Sequence, residues 1–381
     1  MPEDARRSGI QRHVAGFGLP GGVGDQDLRS FNEVEWRVLL GMVARQRLSG
    51  LAMAAAEAGQ LDLADWQFQG LLELQRDAMI RALELERTLF SLAGTFEGAG
   101  LDMVVLKGPA LAHTLYPNAA WRPFGDLDLL VRTEDWDEAC GLLSGSGFHR
   151  RYTEPRPGFS KRFGHTAQHV RDDGLEVDLH RTLVSGPFGL WIEPRVLFEH
   201  TDTFRLGGKA FRRLDDSALF LHACVHASLG HRPPLLLPLR DVVQTVIAGK
   251  VDMSTIADLS TRWRLGAVVQ HACTTAWETL GVRVSMGSLI EPSRRSDRRE
   301  RRALEAYTTE RRSRGGRMLA SVRAIPGLRS KLFFISALVF PSREFVDDRA
   351  RGTGRASYLK RWLTPLNWLQ AAVFKAKEQR Q

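Results

Sequence analysis

From Arg122 to Val131 the chain reads Arg-Pro-Phe-Gly-Asp-Leu-Asp-Leu-Leu-Val. This run constrains the fold more than any other. An apolar stretch this short, opened by a Pro and a Gly, reads as a buried strand rather than a helix. In a strand, side chains two apart share a face. Asp126 and Asp128 then share one face, and Leu127, Leu129 and Val131 the other. Two neighbouring carboxylates repel and raise each other's pKa unless a cation lies between them. The pattern therefore calls for a positive charge on the acidic face.

Two further runs supply the context. Met103-Val-Val-Leu106 is a second buried strand, ending in Lys107-Gly108. Pro109 suits the first turn of a helix running to Leu115. Downstream, His165–Arg171 and Leu175–Thr182, joined by Asp172-Asp-Gly174, read as a hairpin. Alternation there sets Leu175, Val177 and Leu179 against Glu176, Asp178 and His180. Phe148–Tyr152 is a further strand, and Thr133 caps a helix over Glu134–Leu143. The expected fold is α+β, a small mixed β-sheet core flanked by N-terminal and C-terminal helical regions.

The flanks read as follows. Residues 1–30 form a tail whose first 26 residues lack periodicity and are expected to be disordered. The region 31–100 is helical: Asn32 caps one helix, with Glu33 and Glu35 in its first turn. A second helix starts after Asp62 or Asp65 and ends at Gly98 and Gly100. The sheet core spans 101–185. Residues 186–290 are read as a helical region completing the cleft, with helices capped by Asp215, over Leu235–Ala248 and over Thr255–Leu280. Residues 291–381 form a basic extension, with short helices anchored by Trp362 and Trp368.

The formal net charge is +9. Residues 294–317 hold ten arginines against four acids, so most of the excess is local. That favours a solvated arginine-rich helix or linker over a nucleic-acid-binding protein. Cys140, Cys224 and Cys273 are odd in number and far apart, which argues against a disulfide framework or a cysteine zinc site. The N-terminus lacks the apolar core of a signal peptide. The longest apolar stretch near the end, Leu332–Phe340, is roughly half of what spans a bilayer. A cytoplasmic location is expected.

Mg²⁺ (or Mn²⁺) is the cation that fits such carboxylates, being hard and usually bound together with substrate phosphates. Asp126, Asp128 and Asp178 are the candidate metal ligands. Two metals there would stabilise both the attacking and the leaving oxygen of an in-line displacement. Asp178 is the candidate for taking the acceptor's proton. Gly108 would let backbone approach phosphates. Lys107 and Arg122 are candidate phosphate cations, Arg122 by a bidentate contact, and His180 a candidate substrate contact. An isolated Asp-x-Asp is ordinary on exposed strands; the order strand–Gly–helix–strand with Asp-x-Asp, then a later strand with Asp, is much more specific. His222 and His226 share a helical face, but no Glu or third ligand completes a zinc motif. Trp121 is either a base-stacking or a packing aromatic, and Cys224 reads as buried filler.

In sequence order, Leu106-Lys-Gly108, Arg122–Val131 and Val177-Asp-Leu-His180 resemble the uncharacterised bacterial nucleotidyltransferases of the DNA polymerase β-like superfamily. Residues 101–182 resemble the nucleotidyltransferase fold of that superfamily, and the likeness extends over about residues 31–280. It implies metal-binding roles for Asp126, Asp128 and Asp178, and places His226 and Asp241 in the cleft. Lys107-Gly108-Pro109 departs from the Gly-Ser or Gly-Gly of most active superfamily members, which removes a serine hydroxyl from the phosphates. The implied activity is metal-dependent transfer of an NMP from an NTP to a hydroxyl acceptor with release of pyrophosphate. The alternatives are a non-catalytic nucleotide-binding module and a nucleic-acid-binding protein acting through 294–317.

Overall fold

The computed structural model describes residues 2–21, 25–283, 296–308 and 314–350. Its centre is a seven-stranded mixed sheet in spatial order β3-β4-β5-β2-β1-β7-β6. The strands are β1 (Met103–Val105), β2 (Leu127–Val131), β3 (His149–Arg150), β4 (Thr166–Val170), β5 (Glu176–His180), β6 (Thr201–Leu206) and β7 (Lys209–Leu214). β1 runs antiparallel to β2, and β2 parallel to β5. The hairpin of β4 and β5 forms as the alternation requires.

The pleat separates two apolar cores. Leu127, Leu129 and Val131 pack on one face with Val105, Val177 and Leu179. Leu130, Val104 and Leu106 pack on the other, with the buried helices Asp216–Leu229 and Leu236–Ala248. Both faces of β2 are thus covered, and every residue of the strand is buried. Asp128 is carried inward on the second face at 2% exposure.

Asn32 caps the helix Glu33–Arg45 in a full capping box with Glu35. The long helix Asp65–Gly98 follows, and Pro109–Leu115 starts at proline as expected. Four readings are corrected. The N-terminal segment is not disordered: Pro2–Gly16 is helical, and Ile10, Val14 and Ala15 are buried. Arg240 holds this segment by donating to the carbonyls of Ala15 and Phe17. The sheet continues past residue 185, because Thr201–Leu214 forms a hairpin turning at Gly207-Gly208, both with positive φ. The helix after Thr133 begins only at Trp136. The stretch Thr255–Leu280 is two helices, Met253–Arg262 and Gly266–Leu280, broken where Arg264 turns to a φ of 56°.

Part of the arginine-rich segment also folds onto the body. The helix Arg298–Thr308 buries Glu300, Ala303 and Tyr307. Trp362 and Trp368 lie outside the described residues. Among those residues, no helix is long and apolar enough to cross a membrane.

Candidate active site

The parallel pairing of β2 and β5 sets Asp128 directly opposite Asp178. His180, two residues on, points to the same face. Their ligand atoms lie within 4.8 Å of one another. They open into a cavity of about 380 Å³, lined also by Arg47, Lys107, Asp126, His226 and Arg317.

Each carboxylate has a distinct environment. Asp128 Oδ1 accepts from Lys107 Nζ at 2.8 Å, and His180 Nε2 is 2.9 Å away. Burial pushes the Asp128 pKa up, but Lys107 and His180 overcome it and hold it well below the usual range. The Asp178 Oδ1 atom is buried with no hydrogen-bond partner. Burial, reinforced by Asp128 and Asp126, raises its pKa to about 6 despite the opposing pull of His180. An orphaned carboxylate oxygen facing a second carboxylate and an imidazole is what a divalent cation satisfies. The two carboxylates suit a hard divalent cation such as Mg²⁺ or Mn²⁺, while the imidazole suits a transition metal.

Asp126 lines the same cavity but stands outside this group of three. The Asp126 carboxylate turns to Arg47 at 3.3 Å. The expected convergence of Asp126, Asp128 and Asp178 becomes Asp128, Asp178 and His180.

Arg122 does not stand free for phosphate. Its Nε and an Nη donate to the two oxygens of Asp241, both at 2.8 Å. Tyr116 Oη donates to the same carboxylate at 2.7 Å. Arg122 is 5% exposed and Asp241 1%. This buried pair ties the loop before β2 to the helix Leu236–Ala248 and so aims the acidic strand.

Gly108 adopts φ 51° and ψ −113°, a conformation that favours glycine. A Cβ there would meet the Phe124 ring at 3.3 Å. Gly108 is not among the cavity-lining residues, so its observed part is to turn the chain and aim Lys107.

His222 and His226 also line the cavity. Burial and nearby Lys107 lower the pKa of His222 to about 3 and hold His226 well below its usual value. Both are neutral, and neither joins a metal-holding group among the described residues. Trp121 packs edge-on against Phe17, with ring centroids 5.2 Å apart. Burial and the neighbouring Cys273 push the Cys224 thiol upward, away from nucleophile chemistry.

Several lining residues carried no sequence signal. Arg47 sits in a tight turn with φ 57°. His165 rests edge-on against His180, 5.9 Å between centroids. Arg317 lies 5.4 Å over the Tyr307 ring, and Tyr307 Oη donates to Ser185 O at 2.9 Å. The arginine-rich segment therefore supplies one wall of the cavity.

The profile of a family described as "Uncharacterised nucleotidyltransferase" matches residues 32–281. That span takes in the whole sheet and the helices that cover the acidic face. No curated protein matches the chain. Among solved structures, an antigenic nucleotidyltransferase-like protein from Paracoccidioides brasiliensis is similar over 56% of this chain and 95% of that chain. The identity there is 15% and the TM-score 0.31. With two thirds of its length matched by the family profile, the chain belongs to this family of nucleotidyltransferases.

Proposed function

We propose that the protein is a metal-dependent nucleotidyltransferase that moves an NMP from an NTP to a hydroxyl acceptor, working in the cytoplasm. The observation that carries this reading is the opposition of Asp128 and Asp178 beside His180, with one Asp178 oxygen buried and unpartnered. These three residues would hold Mg²⁺ or Mn²⁺. When bound, the ion supplies charge neutralisation for the triphosphate and acidifies the acceptor hydroxyl.

The chain's own groups do the rest. Arg317 and Arg47 line the cavity and offer cations to the phosphates. Lys107 contributes a point charge next to Asp128. The neutral imidazoles of His222 and His226 donate or accept hydrogen bonds without adding charge. The acceptor oxygen attacks the α-phosphorus and the bond to the pyrophosphate oxygen breaks. The acceptor's proton passes to Asp178, whose carboxylate borders the cavity.

The test is Mg²⁺-dependent pyrophosphate release from each of the four NTPs, with candidate hydroxyl acceptors supplied as pools. Asp128→Asn should reduce release by on the order of a thousandfold, equivalent to ~4 kcal/mol of lost transition-state stabilisation. Nucleotide binding without turnover in the wild type would instead favour a nucleotide-sensing module.

A further inference from the structure

A second cavity, of about 730 Å³, shares no lining residue with the acidic site. Arg181 lines it. Arg181 follows His180 directly, just past the end of β5. Its exposure is 7%. Its Nε donates to Gly164 O at 3.0 Å, while the Nη2 atom is buried with no partner.

This sets Arg181 apart from the other buried arginines among the described residues. Arg122 is held by Asp241, and Arg213 by Asp202 and Asp216. Arg240 spreads its donors over two carbonyls and Gln244. Only Arg181 leaves a buried terminal nitrogen unanswered. A guanidinium stays charged in proteins, and an unpaired buried charge is costly. The two acids lining the cavity are already engaged, Asp137 by Lys161 at 2.7 Å and Glu193 by Arg262 at 2.8 Å. Among the described residues lining the cavity, no free acid is left for Arg181, which suits a counter-charge supplied by a ligand.

The remaining lining describes the ligand. Arg162 lies exposed at the rim, its guanidinium 4.9 Å over the Phe333 ring. Stacking in that way leaves the edge of the guanidinium to donate in its plane. Phe163, Leu190, Ile192 and Ile325 add apolar surface, and the volume is that of a small-molecule site. We propose that this cavity binds a small organic anion. Its phosphate or carboxylate head pairs with Arg181 and Arg162, and its apolar body rests on Phe163, Leu190, Ile192 and Ile325. The site stands independently of whether the acidic cavity turns over an NTP.

The experiment is calorimetric titration of the full chain in EDTA with phenyl phosphate, benzoate and inorganic phosphate at millimolar concentration. At least one of the aromatic anions should bind more tightly than inorganic phosphate, and which of the two does so identifies the head group. Arg181→Gln should weaken binding by about tenfold or more, the worth of a charge-assisted hydrogen bond. Arg162→Glu, a change at an exposed position that keeps the fold, should abolish it and carries the test alone if Arg181→Gln does not fold. Arg317→Gln, in the other cavity, should leave binding in place. Absence of binding by all three anions overturns the proposal. So does binding that survives Arg162→Glu, or binding lost with Arg317→Gln and kept in a folded Arg181→Gln.

Discussion

Asp178 makes a stability prediction that needs no knowledge of the substrate. Burial raises its pKa from the ordinary carboxylate value to about 6. A raised folded-state value means that the native state holds the proton more tightly than the unfolded chain. Below about pH 4 the group is protonated in both states and costs nothing. As pH rises from about 4 to 6, the unfolded chain ionises freely while the native state resists, and stability falls. Above about pH 6 the loss is complete, at about 3 kcal/mol for a shift of about two units. Asp178→Asn keeps the shape and removes the charge. In EDTA at pH 8 the variant should therefore be more stable than the wild type by about 3 kcal/mol, with the difference vanishing toward pH 4. Urea denaturation across this pH range measures it. Saturating Mn²⁺ should reverse the order, since the wild type gains a ligand that the variant lacks. A variant less stable than the wild type at pH 8 in EDTA, or a difference that does not change with pH, would refute the assignment of Asp178 as an uncompensated buried acid.

Three further outcomes are expected. Arg122→Gln or Asp241→Asn strands a buried charge and should lower stability by about 3–5 kcal/mol, read from the denaturant midpoint. Gly108→Ala forces a side chain into a positive-φ turn against Phe124, and thermal unfolding should report a loss of about 2 kcal/mol. Mn²⁺ affinity should fall about tenfold per pH unit below pH 6, as the proton on Asp178 competes with the ion; calorimetry at pH 5, 6 and 7 would show it.

The parts of the fold set by local rules were legible in the sequence. Asn32 announces its helix by its own side-chain chemistry, and the β4–β5 hairpin by a turn between two alternating runs. The period of two along β2 placed Asp128 on the face away from Leu127 and Leu129, and the structure sorts these leucines into a separate core. What stayed hidden depends on long-range pairing. Arg122 and Asp241 are 119 residues apart, and nothing near Arg122 says that its fork is already occupied. Asp126 does line the cavity with Asp128, but its carboxylate is paired with Arg47, a residue 79 positions away that nothing local announces. The N-terminal helix looked unstructured because its apolar residues are few, and the Arg240 contacts that fix it come from residues more than 220 positions away. The β6–β7 hairpin is a different case. Gly207-Gly208 between Thr201–Leu206 and Lys209–Leu214 was a readable turn signal, masked by charged residues on an exposed edge strand.

The charges in the acidic cavity constrain how a metal and a nucleotide would enter it. Without either, Asp128 is balanced by Lys107, and Asp126 lies beside Arg47. Asp178 alone has no cation of its own. On the proposed reading, the charge still to be neutralised suits one divalent ion at Asp128, Asp178 and His180 better than two. An ion bound to Asp128 competes with Lys107 for the carboxylate to which Lys107 donates. Triphosphate oxygens arriving at the cavity offer Lys107 a replacement partner, and a flexible ammonium can swing to them at little cost. Nucleotide and metal would then favour each other's binding, since each removes the counter-ion the other must displace or satisfies the one it releases. Lys107 thereby acquires a physical role: it balances Asp128 until substrate phosphates draw it away.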